Sequence, residues 1–213
     1  MFSFNFITSS VLVLACLNAV AGSPAAALEV RQVAAPTGFE ITNLGLHKAC
    51  LPGTANYALS ADKSTLTVDF SNYFARVGPG LPPLEWHRTC QTILDVVVPP
   101  GFALGISSVE YRGYYQLDTK VTASHLTVYY FKGPGRATAH SVLTGPISGG
   151  THVYHDDFAP SNKVLSPCGT NTELNIYHDI RTLHGHNTAG SGYISQHDNP
   201  TFTYTFKFYW KTC

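Results

Sequence analysis

Residues 201–210 read TFTYTFKFYW, and their alternation decides the fold. Phe202, Tyr204, Phe206, Phe208 and Trp210 fall on one side of an extended chain, and Thr201, Thr203, Thr205 and Lys207 on the other, because successive strand side chains point to opposite faces. Large rings at period two make a strand half buried against a core. Working outward, the same period recurs. Leu66, Val68 and Phe70 alternate with Thr65, Thr67 and Asp69, and Leu174, Ile176 and Ile180 alternate with Glu173, Asn175 and Asp179. Thr92 to Val98 reads as a strand stopped by Pro99-Pro100-Gly101, since proline gives no ladder donor and biases the preceding residue toward extended backbone. Val121 to Phe131 predicts a further long strand, with Gly133-Pro134-Gly135, Gly145-Pro146 and Gly149-Gly150 marking later turns. One short helical turn is predicted over Ser71 to Arg76, followed by a Pro/Gly loop from Val77 to Pro83. Many short strands, almost no helix and no internal repeat predict an all-β chain, a jelly-roll-like antiparallel β-sandwich with two disulfides.

The N-terminus carries an apolar run, Val11 to Leu17, then Ala19-Val20-Ala21-Gly22, with small residues placed for cleavage after Ala21. Residues 1–21 therefore read as a signal peptide, although no Lys or Arg precedes Arg31. The run is short of the roughly 20 apolar residues that span a bilayer, and no later segment is long and apolar enough. Residues 22–37 read as a flexible leader and residues 38–213 as one secreted domain, large enough for a full core. Cleavage removes Cys16 and leaves Cys50, Cys90, Cys168 and Cys213, an even set in an oxidising compartment. Four cysteines permit three pairings; Cys50–Cys90 with Cys168–Cys213 is favoured because each closes one local loop. A zinc finger is a poor alternative, since no C-x-x-C pair occurs.

Charged residues make up only 12%, with thirteen Lys and Arg against thirteen Asp and Glu, so no basic stripe points to nucleic acid. Ten histidines form a reserve of charge that exposed rings would take up together in acid, which predicts stronger binding to anionic wall polymer or membrane at low pH. No N-x-[ST] sequon with a permitted middle residue occurs, because Asn199 precedes Pro200.

Glu110-Tyr111-Arg112-Gly113-Tyr114-Tyr115 is the first segment able to carry chemistry. Read as a strand, it presents Glu110, Arg112 and Tyr114 on one face and Tyr111, Gly113 and Tyr115 on the other. Tyr111, Arg112, Tyr114 and Tyr115, with the loop ring of Trp86, are the candidate ligand-binding residues for a sugar or anion. The plainer alternative pairs Arg112 with Glu110 or Asp95, leaves Gly113 room for a packed aromatic, and makes Trp86 a lid on the core. His152, His155 and Asp157, and again His184 and His186, carry ligand types that suit zinc or copper. Without a defined third ligand they also read as surface histidines. His178 shares the apolar face of Ile176 and Ile180 and reads as a satisfied core histidine. No G-x-S-x-G elbow is present, and Asp156 and Asp157, being adjacent, face opposite ways on a strand and do not form a glycosidase pair together. Nothing calls for a cofactor.

Cys50-Leu51-Pro52-Gly53, Cys90 before an alternating strand, Pro100-Gly101-Phe102, Glu110-Tyr111-Arg112-Gly113-Tyr114, Ser166-Pro167-Cys168-Gly169 and the ending Trp210-Lys211-Thr212-Cys213 resemble the secreted fungal family called domain of unknown function 4360, over about residues 38–213. The resemblance implies a small extracellular β-rich protein and no particular activity. The expected function is that of a non-enzymatic, secreted β-sandwich acting on cell-wall polysaccharide or a host surface. The alternatives are an extracellular hydrolase or metal-dependent enzyme and a membrane-active sandwich.

Overall fold

A computed structural model describes residues 34–48, 50–133, 135–158, 164–195 and 202–213. The expected signal peptide and all but the last residues of the expected leader lie outside them. The strands are β1 (Glu40–Lys48), β2 (Ala55–Leu59), β3 (Thr65–Phe70), β4 (Ala75–Val77), β5 (His87–Val97), β6 (Phe102–Leu117), β7 (Thr122–Phe131), β8 (Ala137–Thr144), β9 (Ile147–Asp157), β10 (Thr172–Leu183), β11 (Gly192–Ser195) and β12 (Phe202–Thr212). They form an antiparallel β-sandwich. One sheet has five strands in the order β1-β5-β10-β7-β8; the other has seven, β2-β3-β12-β6-β11-β4, with β9 also on β6. Chain crossings from β5 to β6 to β7 and from β8 through β9 and β10 to β11 alternate between sheets, the device by which a jelly roll builds two layers from one chain.

The inner faces are those the alternation assigned. Phe202, Tyr204, Phe206, Phe208 and Trp210 are buried from β12, Leu66, Val68 and Phe70 from β3, and Leu174, Ile176, His178 and Ile180 from β10. The layers interlock through rings: Tyr129 meets Phe206 with centroids 5.6 Å apart, Phe70 meets His178 at 5.0 Å and His178 meets Tyr204 at 4.1 Å. Burying one such side chain contributes about 1.5–3 kcal/mol, so the ring layer is the main favourable term. Phe39, just before β1, is fully buried edge-on to Phe208 and Trp210, which anchors the start of the predicted domain on the core.

Strand β6 positions the rest of its sheet. It pairs with β12 from Phe102 to Arg112, with β11 from Tyr114 to Leu117, and with β9 from Ser108 to Leu117. A register shift beside Ser107 puts Lys207 opposite Ser108 but Phe208 opposite Ile106. The extra residue changes which parity of β6 faces inward: Leu104 and Ile106 before it, Val109 and Tyr111 after it, all buried. The cystines are Cys50–Cys90, with Cα atoms 5.0 Å apart, and Cys168–Cys213, at 6.3 Å. The first ties the β1–β2 connection to β5, and the second ties the chain end to the turn that runs beside β6. Each closes a loop of 40 or 45 residues, which in the chain-entropy treatment contributes about 4 kcal/mol.

One local expectation is corrected. Residues 71–76 are not helical; Ala75–Val77 pairs with β11 instead, Val77 lying opposite Gly192. The helical turn is a 3-10 turn at Pro83–Trp86, where proline at the first positions supplies a preset φ and lacks only a donor that the turn would leave unused.

Gly113 faces inward under Phe202, and a Cβ there would lie 2.6 Å from the Phe202 ring. Gly113→Ala is therefore expected to cost about 1–3 kcal/mol by overpacking, read from urea unfolding followed by tryptophan fluorescence.

Candidate functional site

The Glu110–Tyr115 segment lies in β6 and alternates as its sequence requires, which divides the candidate ligand residues between two faces. Tyr111 and Tyr115 point into the core, each 1% exposed, and burial pushes the Tyr111 hydroxyl up to about 12. Arg112 and Tyr114 face outward, Arg112 between Thr203 of β12 and Val153 of β9. Among the described residues Arg112 makes no ion pair, and Asp95 lies on β5 in the other sheet, accepting a hydrogen bond from Asn43 Nδ2 at 3.0 Å. Trp86 is partly buried in the 3-10 turn, edge-on to His184 at 5.1 Å, and packs against the core as a lid.

On the outer face, Tyr114 belongs to a row of rings that local sequence reading missed. Tyr193 of β11 lies opposite Gln116 of β6 on one side and Arg76 of β4 on the other. Its ring is 6.4 Å from Tyr114 and 6.3 Å from Phe74, the latter pair within 28° of parallel. All three rings are partly exposed. Polar groups border the row. The Tyr114 hydroxyl donates to Gln116 Oε1 at 3.4 Å, and Arg76 Nε donates to Glu85 Oε2 at 3.0 Å. The guanidinium carbons of Arg76 and Arg88 stand 5.7 and 5.5 Å from the Phe74 ring. Beside the row opens a cleft of about 220 Å³ lined by Arg76, Leu81, Gln116, Asp118, Ser191 and Tyr193. Phe74 precedes one short strand and Tyr193 lies in another far away in sequence, so only the pairing of β4 with β11 reveals them.

The candidate metal residues do not converge on one point. His155 and Asp157 face outward from β9 as an exposed pair at 3.0 Å, whereas His152 faces inward, edge-on to Tyr115 at 5.6 Å. His184 contacts Trp86 and His186 lies exposed in the turn after β10. Among the described residues no three His, Cys, Asp or Glu side chains are grouped to hold a metal. Asp156 faces inward beside Tyr154, and burial pushes its carboxyl up, partly offset by the charge of His155. Asp157 points away from it, as adjacency in a strand demands.

A histidine, an acid and a hydroxyl do converge on the outer face of the five-stranded sheet. His87 Nε2 lies 2.6 Å from Asp179 Oδ2 and 3.0 Å from Thr89 Oγ1. Both partners use the same ring nitrogen, so the imidazole cannot take a proton from the hydroxyl at one nitrogen while the acid orients the other, as nucleophile activation requires. Asp179 is instead a charge anchor. Arg181 donates to it at 2.7 and 3.2 Å and Thr89 at 3.2 Å. Burial pushes its carboxyl up, but the hydrogen bonds from Arg181 and His87 outweigh burial and hold it below the ordinary value. His178, expected as a satisfied core histidine, is fully buried with neither ring nitrogen partnered among the described residues.

Residues 40–213 match a family described as Domain of unknown function (DUF4360). An uncharacterised secreted protein of Arthroderma benhamiae is 35% identical over 133 residues, which is 62% of this chain and 54% of that one. The match thus spans about half the length of that relative. Among solved structures, TmCBM61 in complex with β-1,4-galactotriose aligns with 82% of this chain and 91% of its own at 11% identity and a TM-score of 0.26. The enzymatically active domain of bacteriophage CBA120 tailspike protein 4 aligns with 82% of this chain and 19% of its own at 7% identity and a TM-score of 0.23. With a secreted relative and two cystines, the protein is extracellular. Among the described residues no helix is long and apolar enough to cross a membrane.

Asp179→Ala is expected to lower stability by about 1–2 kcal/mol at pH 7, because it removes the hydrogen-bonded acceptor of Arg181, His87 and Thr89, while the Arg181 and His87 side chains left behind remain about half exposed to water. A carboxyl held below its unfolded value stabilises above about pH 4 and loses that contribution as pH falls through its folded value. The gap between variant and wild type in urea unfolding should therefore narrow between pH 5 and pH 2.

Proposed function

For this chain, which belongs to the DUF4360 family, we propose a non-enzymatic role outside the cell: binding a polysaccharide of a wall or host surface on the outer face of the seven-stranded sheet. The single observation that carries this reading is the row Tyr114–Tyr193–Phe74 with Gln116, Arg76 and the adjoining cleft. A pyranose has a face of C–H groups and a rim of hydroxyls. Aromatic rings offer the matching apolar surface, and rigid rings lose little conformational entropy when they bind. Gln116 offers a donor and an acceptor and Arg76 a planar fork of donors, the groups that read a hydroxyl rim. Arg112, two residues from Tyr114 on the same face, extends the polar border along β6 and gives a carboxylated or otherwise anionic sugar a charge partner.

The row sits on paired backbone rather than on a free loop. Tyr114 and Tyr193 are held by the β6–β11 ladder and Arg76 by the β4–β11 ladder, so the spacing of the groups is set before a ligand arrives, which limits the entropy cost of association. Asp118 and Ser191 close one end, the Ser191 backbone N–H donating to Asp118 Oδ2 at 2.7 Å.

The test is retention on insoluble glucan, chitin and mannan, with affinity electrophoresis in soluble polysaccharides. Tyr193→Ala and Tyr114→Ala are each expected to weaken binding at least tenfold, the loss typical of a buried aromatic anchor, while Asn56→Ala, on β2 beyond β3 and β12, leaves it unchanged. Equal retention of wild type and both tyrosine variants, or no retention on any polysaccharide, would remove this reading.

A further inference from the structure

Two of the ten histidines, His125 of β7 and His178 of β10, lie between the sheets at 1% and 0% exposure. His178 pairs in register with Thr127, so on the inner face it is the diagonal neighbour of His125. Both rings pack on Tyr204 from the opposite sheet, with centroids 4.1 Å away for His178 and 5.3 Å for His125. His125 also lies 4.1 Å from Tyr111, and His178 lies 5.0 Å from Phe70. His125 Nε2 meets the Tyr204 hydroxyl at 2.5 Å and Thr127 Oγ1 at 3.0 Å. Its Nδ1 and both nitrogens of His178 have no partner among the described residues.

We propose that His125 and His178 are an acid-sensitive latch between the two sheets: the sandwich stays closed while both rings are neutral and opens when protonation sets two charges among apolar rings. The groups on the elements packed around the pair are mostly neutral or cationic, and Asp179 of β10 compensates a cation on His125 only in part. β12 contributes Tyr204, β6 contributes Tyr111 and Tyr115, the β3–β4 connection contributes Tyr73, and β7 contributes Tyr129, all phenols that burial keeps neutral. From β8, His140 adds a repulsive charge when protonated. Of the carboxylates, Asp179 faces outward and is engaged by Arg181, His87 and Thr89; its charge favours a proton on His125, but burial of the ring outweighs it, and Asp156 lies on β9 near Tyr111.

Burial brings the His125 imidazole down to about 3 and holds His178 well below the ordinary value, the neighbouring His125 adding repulsion. In an opened or unfolded chain each ring accepts a proton near pH 6.5. A depressed histidine value favours the closed state above pH 6.5 and progressively favours the open one as pH falls from there toward 3. Between pH 7.5 and pH 5 the opening constant should rise about 30-fold per histidine and about 1,000-fold for the pair. Asp156, whose carboxyl is raised, works in the opposite direction, so the comparison is between wild type and variant at each pH.

The latch does not depend on the polysaccharide reading and is tested without a ligand. Urea unfolding of the wild type at pH 7.5 and 5 is followed by tryptophan fluorescence, since Trp210 is buried, and by binding of an apolar dye. His178→Phe, which keeps a ring but no ionisable nitrogen, is expected to reduce the pH-dependent change about 30-fold and not to weaken the protein at pH 7.5. An identical pH response in that variant overturns the latch. Ring NMR of the folded wild type provides a second measurement should the variant fail to fold. Neither His125 nor His178 should titrate between pH 8 and 5, and a midpoint near 6.5 for either ring overturns the proposal.

Discussion

The contact on which the structure rests is the packing of the ring-bearing face of β12 against β10 and β7, centred on Tyr204. That ring touches Phe70, Phe202 and Phe206 within its own sheet and His125 and His178 across the interface. Sheet packing needs inner faces whose side chains interdigitate over about 10 Å, and a strand of large rings fills that thickness where aliphatic chains would leave gaps. The aromatic layer also makes small residues necessary at particular places. Gly113 lies under Phe202, where a Cβ would fall against the ring.

Given that core, the outer face of the seven-stranded sheet follows from how β6 is shared. β12 and β11 occupy successive lengths of one side of β6, and β3 and β4 successive lengths of the next position outward. The row of Phe74, Tyr193 and Tyr114 forms where the short strands β4 and β11 continue the sheet beyond β3 and β12. A bulge beside Ser107 sets the phase of β6, sending Tyr111 and Tyr115 inward and Arg112 and Tyr114 outward. Two neighbouring tyrosines, Tyr114 and Tyr115, thereby take opposite roles, one on the surface row and one in the core.

Histidine serves in two settings with opposite consequences. His47, His140, His155 and His186 are exposed, where water solvates a charged ring at small structural cost. His125 and His178 are enclosed by rings, and the same protons act against closure of the sandwich. Composition counts all of these side chains alike; their surroundings separate a surface charge from a core constraint.

Period-two alternation determined the class of fold, because it depends only on adjacent residues pointing to opposite sides of an extended chain. It also assigned the inner faces of β3, β10 and β12, the split within Glu110–Tyr115 and the divergence of Asp156 from Asp157. For the cysteines, local loop closure favoured one of three pairings, and the structure has that one, Cys50–Cys90 with Cys168–Cys213. Tertiary structure alone decided what depends on distant partners. The segment at residues 71–76 became the approach to β4 rather than a helical turn because β11 offered it a ladder. Tyr193 and Phe74 joined Tyr114 through that pairing, and His152 was parted from His155 and Asp157 by the pleat of β9. The burial of His125 beside His178 required β7 and β10 to lie side by side under β12. Local alternation carries information about which side a residue faces, and strand order, which is non-local, carries information about what it meets there.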